Sequence, residues 1–244
     1  MNTSNNLEQK RIIVLDTETT GMNREGGPTY QGHRIIEIGA VEIIDRKLTG
    51  RHFHVYIKPD REIQPDAIEV HGITDEFLKD KPVYQDVHKE FVDFIKGAEL
   101  VAHNAPFDVG FMDNEFRMFG DTNETTDYCE VTDTLAMAKR MPNMPARKNL
   151  DSLAKHYTID TSARILHGAL LDAEILADVY LAMTGGQTSL QFSSEAGGIS
   201  GVAIKRIAEG RKALKVLLAT ADEVEAHQER LDIVEKSGSC LWRQ

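Results

Sequence analysis

The amino-acid sequence predicts an α/β fold, a mixed β-sheet flanked by helices, with a small module appended at the C-terminus. Three observations predict it. Residues 11–58 hold short, apolar, β-branched runs separated by turn residues, the signature of buried strands. Beyond Pro82 apolar residues recur at steps of three and four, as on helix faces. Residues 185–201 (GGQTSLQFSSEAGGISG) abandon both patterns for Gly, Ser and Gln, a linker composition.

Each element follows in order. The run RIIVL at 11–15 ends in the polar cluster DTETTG and reads as a buried strand entering a turn. Residues 34–45 and 52–58 read as two further strands joined by the turn-like RKLTG, so the three form an antiparallel meander. Phe91, Phe94 and Ile95 lie at helical spacing between Pro82 and Gly97, and residues 100–102 form another short strand before HNAPFD. A helix follows with Phe107, Phe111, Met112, Glu115, Phe116 and Phe119 on one stripe, read as core and not as a base-stacking platform. Residues 150–157 and 169–183 give two more helices, the second stopped by Gly185-Gly186. The expected organisation is a domain over 1–184, a linker over 185–201 and a module over 202–244. In that module a helix spans 203–214, an apolar run covers 216–219, and a second helix is announced by the capping box Thr220 to Glu223. So small a unit buries little core alone and is expected to bind a partner, with Trp242 docked on that partner or on the module's own helix.

Composition excludes several classes. With 41% hydrophobic and 27% charged residues, the chain falls in the globular range. No apolar stretch reaches the roughly 18 residues of a membrane span, and the polar start lacks a signal-peptide core, which predicts a cytosolic protein. Cys129 and Cys240 stand alone, outside any C-x-x-C spacing, so neither a disulfide framework nor a zinc site is expected. The net charge of −11 argues against coating long nucleic acid, where lysine and arginine must displace phosphate counterions. It is compatible with gripping a few terminal nucleotides at a site whose acids hold cations.

Five residues point to such a site. Asp16 and Glu18 are two apart on one strand and therefore face the same side. Asp108, just past the 100–102 strand, can stand beside them in a parallel or mixed sheet. On a continuous helix His167 and Asp172 would lie roughly 140° apart. They converge if His167 precedes the helix and Asp172 lies in its first turns, an entry that Gly168 would permit. Four carboxylates without cysteine suit hard, oxygen-preferring cations such as Mg²⁺ or Mn²⁺. Two such ions about 3.5–4 Å apart serve in-line displacement at a phosphodiester, and a neutral histidine can take the proton of the attacking water.

DTETTG at 16–21, HNAPFD at 103–108 and HGALLD at 167–172 resemble the three exonuclease motifs of the DEDD superfamily, in the subclass with histidine in the third motif. RIIEIGAVEIID at 34–45, VHGIT at 70–74, the linker and the terminal SCLW further resemble the family of proofreading epsilon subunits of bacterial DNA polymerase III. The resemblance implies a ribonuclease H-like, five-stranded sheet and 3′→5′ exonuclease activity on single-stranded or frayed DNA ends, releasing nucleoside monophosphates. It implies that Asp16 bridges two Mg²⁺ or Mn²⁺ ions, that Glu18 and Asp172 complete the shell of the first, and that Asp108 holds the second, partly through water. His167 is then the general base. Asp66, His71 and Asn104 face the terminal nucleotide, which the metal-bound Asp16, Glu18 and Asp172 also approach. As partners it implies the polymerase alpha subunit on the C-terminal module, a small theta-type subunit on the first domain, and the sliding clamp at Gln187–Phe192.

Other readings stay open. His71 is alternatively a packing histidine beside a glycine turn, and His103 and Asn104 are alternatively caps of the helix that follows. An RNA 3′ exonuclease of the same superfamily would use the same five residues, and an inactive structural subunit is the reading from a different class.

Overall fold

A computed structural model describes residues 10–162, 164, 166–185, 219–238 and 241–243. The chain divides into two units, Met1–Ser189 and Leu190–Gln244. Residues 186–218 lie outside the described set, and with them fall most of the linker, the helix expected over 203–214 and the segment Gln187–Phe192. Cys240 also lies outside it.

The first unit is a mixed five-stranded sheet between helices, as the sequence predicts. In chain order its elements are β1 (Ile12–Thr19), β2 (Ile35–Ile44), β3 (Lys47–Tyr56), α1 (Pro65–His71), α2 (Asp75–Leu78), α3 (Tyr84–Ile95), β4 (Glu99–Ala102), α4 (Pro106–Phe119), α5 (Thr125–Tyr128), β5 (Glu130–Asp133), α6 (Thr134–Arg140), α7 (Leu150–His156) and α8 (Ala169–Thr184). The strand order is β3-β2-β1-β4-β5. β1 to β3 are antiparallel, as the meander required, and β4 and β5 run parallel to β1. The hairpin between β2 and β3 is tighter than RKLTG suggested. It turns on Asp45 and Arg46 alone, both left-handed (φ 51° and 62°), the geometry that matches strand twist in a two-residue turn, so β3 begins at Lys47. The strand β5 was not foreseen, because EVTD carries two acids and no apolar run.

Alternation along the strands gives the sheet two apolar faces. Ile13, Leu15, Ile38 and Ala40 pack with Phe91, Ile95, Phe111 and Phe116 of α3 and α4. Val14, Val41, Ile43 and Val101 pack with Leu153 of α7 and Ala173, Leu176 and Ala177 of α8. The phenylalanine stripe of α4 is only partly core: Phe111 and Phe116 are fully buried, Phe107 is half-buried and Phe119 is 42% exposed. A buried ion pair ties the start of β2 to α4, with Arg34 Nε and Nη2 donating to the two carboxylate oxygens of Glu115 at 2.8 and 2.7 Å. Glu115 also accepts from the Ile35 amide, so its carboxylate is satisfied on all sides.

The helix α8 carries buried residues around most of its circumference and lies close on β1 and β2. The closest approach is at Gly39, where a Cβ would fall 2.1–2.4 Å from the backbone of Ala169 and Leu170. No side chain fits there, so a glycine inside an apolar strand lets the first turn of α8 rest on the sheet.

In the second unit α9 (Ala221–Ser237) begins with the expected capping box, Thr220 and Glu223 bonding reciprocally. Arg243 in a terminal 3₁₀ turn (Leu241–Arg243) pairs with Asp232 and Glu235 of α9 at 2.6 and 2.5 Å. Trp242 is 84% exposed, so it is not docked on the module's own helix. Among the described residues no helix is long and apolar enough to cross a membrane.

Gly39→Ala sets a methyl against backbone, which cannot rotate away. It is expected to destabilise the first unit by about 3 kcal/mol in urea unfolding, whereas Gly168→Ala, whose Cβ would meet nothing within 4 Å, is expected to leave the midpoint nearly unchanged. Equal midpoints for the two variants would show that α8 yields freely.

Candidate active site

The end of β1 carries the first two acids. Residues opposite one another in an antiparallel pair share a face, and β1 pairs Asp16 with Gly39 and Glu18 with Glu37. Asp16 and Glu18 therefore point to the α8 side, and Gly39 opposite Asp16 leaves room for the helix to arrive. Asp172 lies in the first turn of α8, its amide donating to the Gly168 carbonyl at 2.9 Å. His167 stands on the loop before the helix, with its amide donating to the Val70 carbonyl at 3.2 Å. The condition for convergence is met, but not through Gly168, whose φ of −152° is extended backbone open to any residue.

Donor atoms of Glu18, His167 and Asp172 all lie within 4.8 Å of one another, a spacing fit for a single cation. Asp16 and Asp108 fall outside that trio of donors, yet their charges act on it. Burial holds the Asp16 carboxyl well above the usual range, and repulsion from Asp108, Glu18 and Asp172 adds to the effect. Burial likewise pushes Glu18 up to about 8, reinforced by Glu37, Asp172 and Asp108. Asp108 is raised by burial too, against the pull of the Thr17 hydroxyl, which donates to its Oδ1 at 2.7 Å. Acids this reluctant to ionise together bind a cation or keep protons. A donor set of oxygens and one imidazole, partly buried, fits divalent Mg²⁺ or Mn²⁺ and does not resemble a thiolate zinc site.

Arg164 was not foreseen. Its Nε and Nη2 lie 2.5 Å from the two oxygens of Asp172, and its Nη2 lies 2.8 Å from His167 Nδ1. Nη1 pairs with Asp151 on α7. This side chain is only 8% exposed, and its charge favours ionisation of both Asp16 and Glu18. Three positions before the histidine, it had no motif to mark it. Glu37 was missed as well. Buried directly across from Glu18, it receives His54 Nε2 at 2.8 Å and leaves its other oxygen without a hydrogen bond.

A cleft of about 150 Å³ opens beside Glu18, lined also by Met22, Asp66, Ala67, His71 and Phe107. Two of the three residues expected to face a nucleotide are thus here. His71 is buried at the end of α1, where its Nδ1 accepts from the Ile73 amide at 3.0 Å and its Nε2 has no hydrogen-bond partner. Burial lowers its affinity for a proton. The carboxylate of Asp66 is half-exposed and paired with Arg24 at 2.7 Å. Asn104 does not line this cleft. It is exposed in a left-handed conformation (φ 66°), and its amide donates to Asp133 at 2.9 Å. Neither His103 nor Asn104 caps α4, whose N-cap is Ala105 without a side-chain bond. Phe107, expected in the core, packs on Phe111 and also lines the cleft.

Comparison with known proteins shows the family. A sequence profile described as exonuclease (RNase_T) matches residues 13–180. The chain is 58% identical over 239 residues to a DNA polymerase III subunit epsilon from Salmonella typhimurium, covering 96% of this chain and 97% of the relative. It is 57% identical, with the same coverage, to one from Escherichia coli. Among solved structures, exonuclease X in complex with 5′ overhanging duplex DNA superposes with a TM-score of 0.53 at 30% identity, over 72% of this chain and 90% of that one. Escherichia coli exonuclease I with a dA16 oligonucleotide shares the fold at a TM-score of 0.59 and 18% identity, over 73% of this chain and 41% of that one.

The raised carboxyls fix a pH dependence. Between an ordinary glutamate value of about 4.3 and about 8, folded Glu18 holds a proton that the unfolded chain has lost. Its contribution to stability therefore falls as pH rises through that window. A divalent cation needs the ionised forms, so the gain in Tm on adding Mn²⁺ is expected to be small at pH 6 and larger at pH 8.5. An equal gain at both values would place cation binding elsewhere.

Proposed function

The chain belongs to the exonuclease family and, within it, to the DNA polymerase III epsilon subunits, and on that premise we propose how its residues act. The protein is an exonuclease of a replicative polymerase. It hydrolyses the terminal phosphodiester of single-stranded or mismatched DNA 3′ ends and releases nucleoside monophosphates. The convergence of Glu18, His167 and Asp172 from two distant stretches of chain, with Asp16 and Asp108 beside them, carries this reading.

Asp16, Glu18, Asp108 and Asp172 would hold two Mg²⁺ or Mn²⁺ ions. When bound, such ions neutralise charge on the scissile phosphate and lower the pKa of a coordinated water. The remaining work falls to side chains. His167 is 46% exposed. His167 Nδ1 also lies 3.2 Å from Asp172 Oδ2, and in the tautomer that donates there Nε2 holds the lone pair and takes the proton of the attacking water. Thr17 holds Asp108 in place by its hydroxyl. His71, with a free buried nitrogen, bonds the terminal nucleotide, and Phe107 offers its ring to the terminal base. Asp66 lies at the mouth of the same cleft, while Asn104, at the entrance to α4, meets the strand farther out.

The C-terminal module, residues 202–244, is the polymerase-binding part, joined to the exonuclease domain 1–184 by a linker over 185–201. In support, α9 leaves Val224, Ile233 and Val234 exposed, and Trp242 more so. Membership among DNA polymerase III subunits supports a cytoplasmic location.

Asp16→Ala is expected to lower the rate on a single-stranded DNA oligonucleotide in Mg²⁺ by more than about 100-fold, while co-purification with the polymerase subunit persists. Activity equal to wild type would locate the reaction elsewhere, and a strong preference for a matched RNA oligonucleotide would overturn the substrate. Deleting 187–244 is expected to keep activity on short single strands and abolish association with the polymerase subunit. A truncated chain that still co-purifies with it would remove the module's role.

A further inference from the structure

The chain carries a net charge of −11, yet one stretch of the exonuclease domain is purely basic. Residues 134–150, from the start of α6 to the start of α7, hold Lys139, Arg140, Arg147 and Lys148 and no acid. Lys139, Arg140 and Arg147 are exposed. None of the four forms an ion pair with another described residue. Only Lys148 is engaged, its Nζ donating to the Pro145 carbonyl at 3.1 Å. Other cations of this domain are paired with acids, as Arg24 is with Asp66, Arg34 with Asp60 and Glu115, and Arg51 with Glu42; others without an ion pair to a described residue, such as Lys58, Lys96, Arg117 and Lys155, stand singly along the chain.

The stretch is fastened to the active site at both ends. On one side the Lys148 backbone bonds the His103 ring, and the charge of Lys139 is felt there. Next to His103, the Asn104 amide is held by Asp133, which also caps α6. On the other side Asp151, at the first turn of α7, pairs with Arg164, and Arg164 grips Asp172. Of the acids that flank the stretch, Asp133 accepts from the Asn104 and Leu135 amides and Asp151 pairs with Arg164.

We propose that Lys139, Arg140 and Arg147, with Lys148, form a phosphate-binding strip for the substrate strand upstream of its terminal nucleotide. This rests on the nuclease reading and adds to it the path of the strand. An acidic centre can neither attract nor orient a polyanion, and phosphate contacts that carry no sequence information suit an enzyme that must grip any 3′ end. The cleft at Glu18 takes the end itself. The strip takes the backbone behind it and supplies affinity that depends on salt.

The test uses the full chain carrying Lys139→Gln, Arg140→Gln and Arg147→Gln together, and two substrates: a ten-residue oligothymidylate and the p-nitrophenyl ester of thymidine 5′-monophosphate, which has no upstream strand. Wild type cleaving neither would fail the nuclease reading itself. With both cleaved by wild type, the triple variant is expected to raise KM for the oligonucleotide and keep kcat/KM for the ester. The slope of log affinity against log salt should become shallower by about 2, at about 0.7 per phosphate contact on a single strand. The charge-preserving variant Lys139→Arg, Arg140→Lys, Arg147→Lys should restore the wild-type slope. An unchanged oligonucleotide KM and salt slope would overturn the strip, and so would equal losses on both substrates.

Discussion

The crowding of four carboxylates at one end of the sheet, three of them buried, is the constraint to which the rest of this structure answers. Burial raises the proton affinity of Asp16, Glu18 and Asp108, and for Asp16 and Glu18 repulsion from the neighbouring acids adds to it. Such a cluster is a local cost to folding, tolerated because a cation relieves it. Arg164 supplies a single fixed positive charge, spread over Asp172, Asp151 and His167. One guanidinium cannot neutralise four acids, so the cluster remains short of positive charge. That shortage is what gives it affinity for hard cations.

The scaffold that gathers the acids depends on close packing more than on the acids themselves. Two sit on β1 because strand alternation places them there, and they are carried to the sheet's end by ladders on both sides. The third and fourth arrive at helix N-termini, Asp108 in the first turn of α4 and Asp172 in the first turn of α8. Those positions present backbone N–H groups and a favourable dipole to a carboxylate. For α8 the arrival is possible only because Gly39 has no side chain. The missing Cβ thus does for the third motif what the conformational freedom of glycine does in tight turns elsewhere.

Much of this was legible from the chain. Short apolar, β-branched runs bounded by turn residues located β1 and β2, the three-four spacing of Phe91 to Phe116 located α3 and α4, and the Asp-x-Glu pair declared its shared face. For His167 and Asp172 helical geometry set the condition, His167 before the helix and Asp172 in its first turn, and the structure meets it without the conformational freedom expected of Gly168. What escaped has physical reasons. The strand β5 is held by parallel pairing with β4 and shows no apolar run of its own. Gly39 looks like any interruption of a strand until the neighbouring helix is placed. Arg164 and Glu37 act across the fold, on Asp172 and beside Glu18, through contacts with no fixed sequence spacing. Phe107 satisfied the helical stripe and still turned out to line the cleft, because a stripe wide enough to reach the core at Phe111 also reaches its edge.

An acidic protein that handles DNA must separate two electrostatic tasks. At the scissile bond, negative side chains are required, since they hold the cations that meet the phosphate. Away from it, negative side chains repel the same backbone, and screening over roughly 8–10 Å at physiological salt keeps the two regions from cancelling. The sequence separates them along the chain: all of the net negative charge lies in residues 1–184, yet within that domain residues 134–150 carry no acid at all. Because the ends of this stretch are bonded to His103 and, through Asp151 and Arg164, to Asp172, the basic surface cannot drift relative to the acidic centre. A polynucleotide meeting both at once would be registered by its backbone on one and cut at its end on the other. Neither part needs to recognise a base.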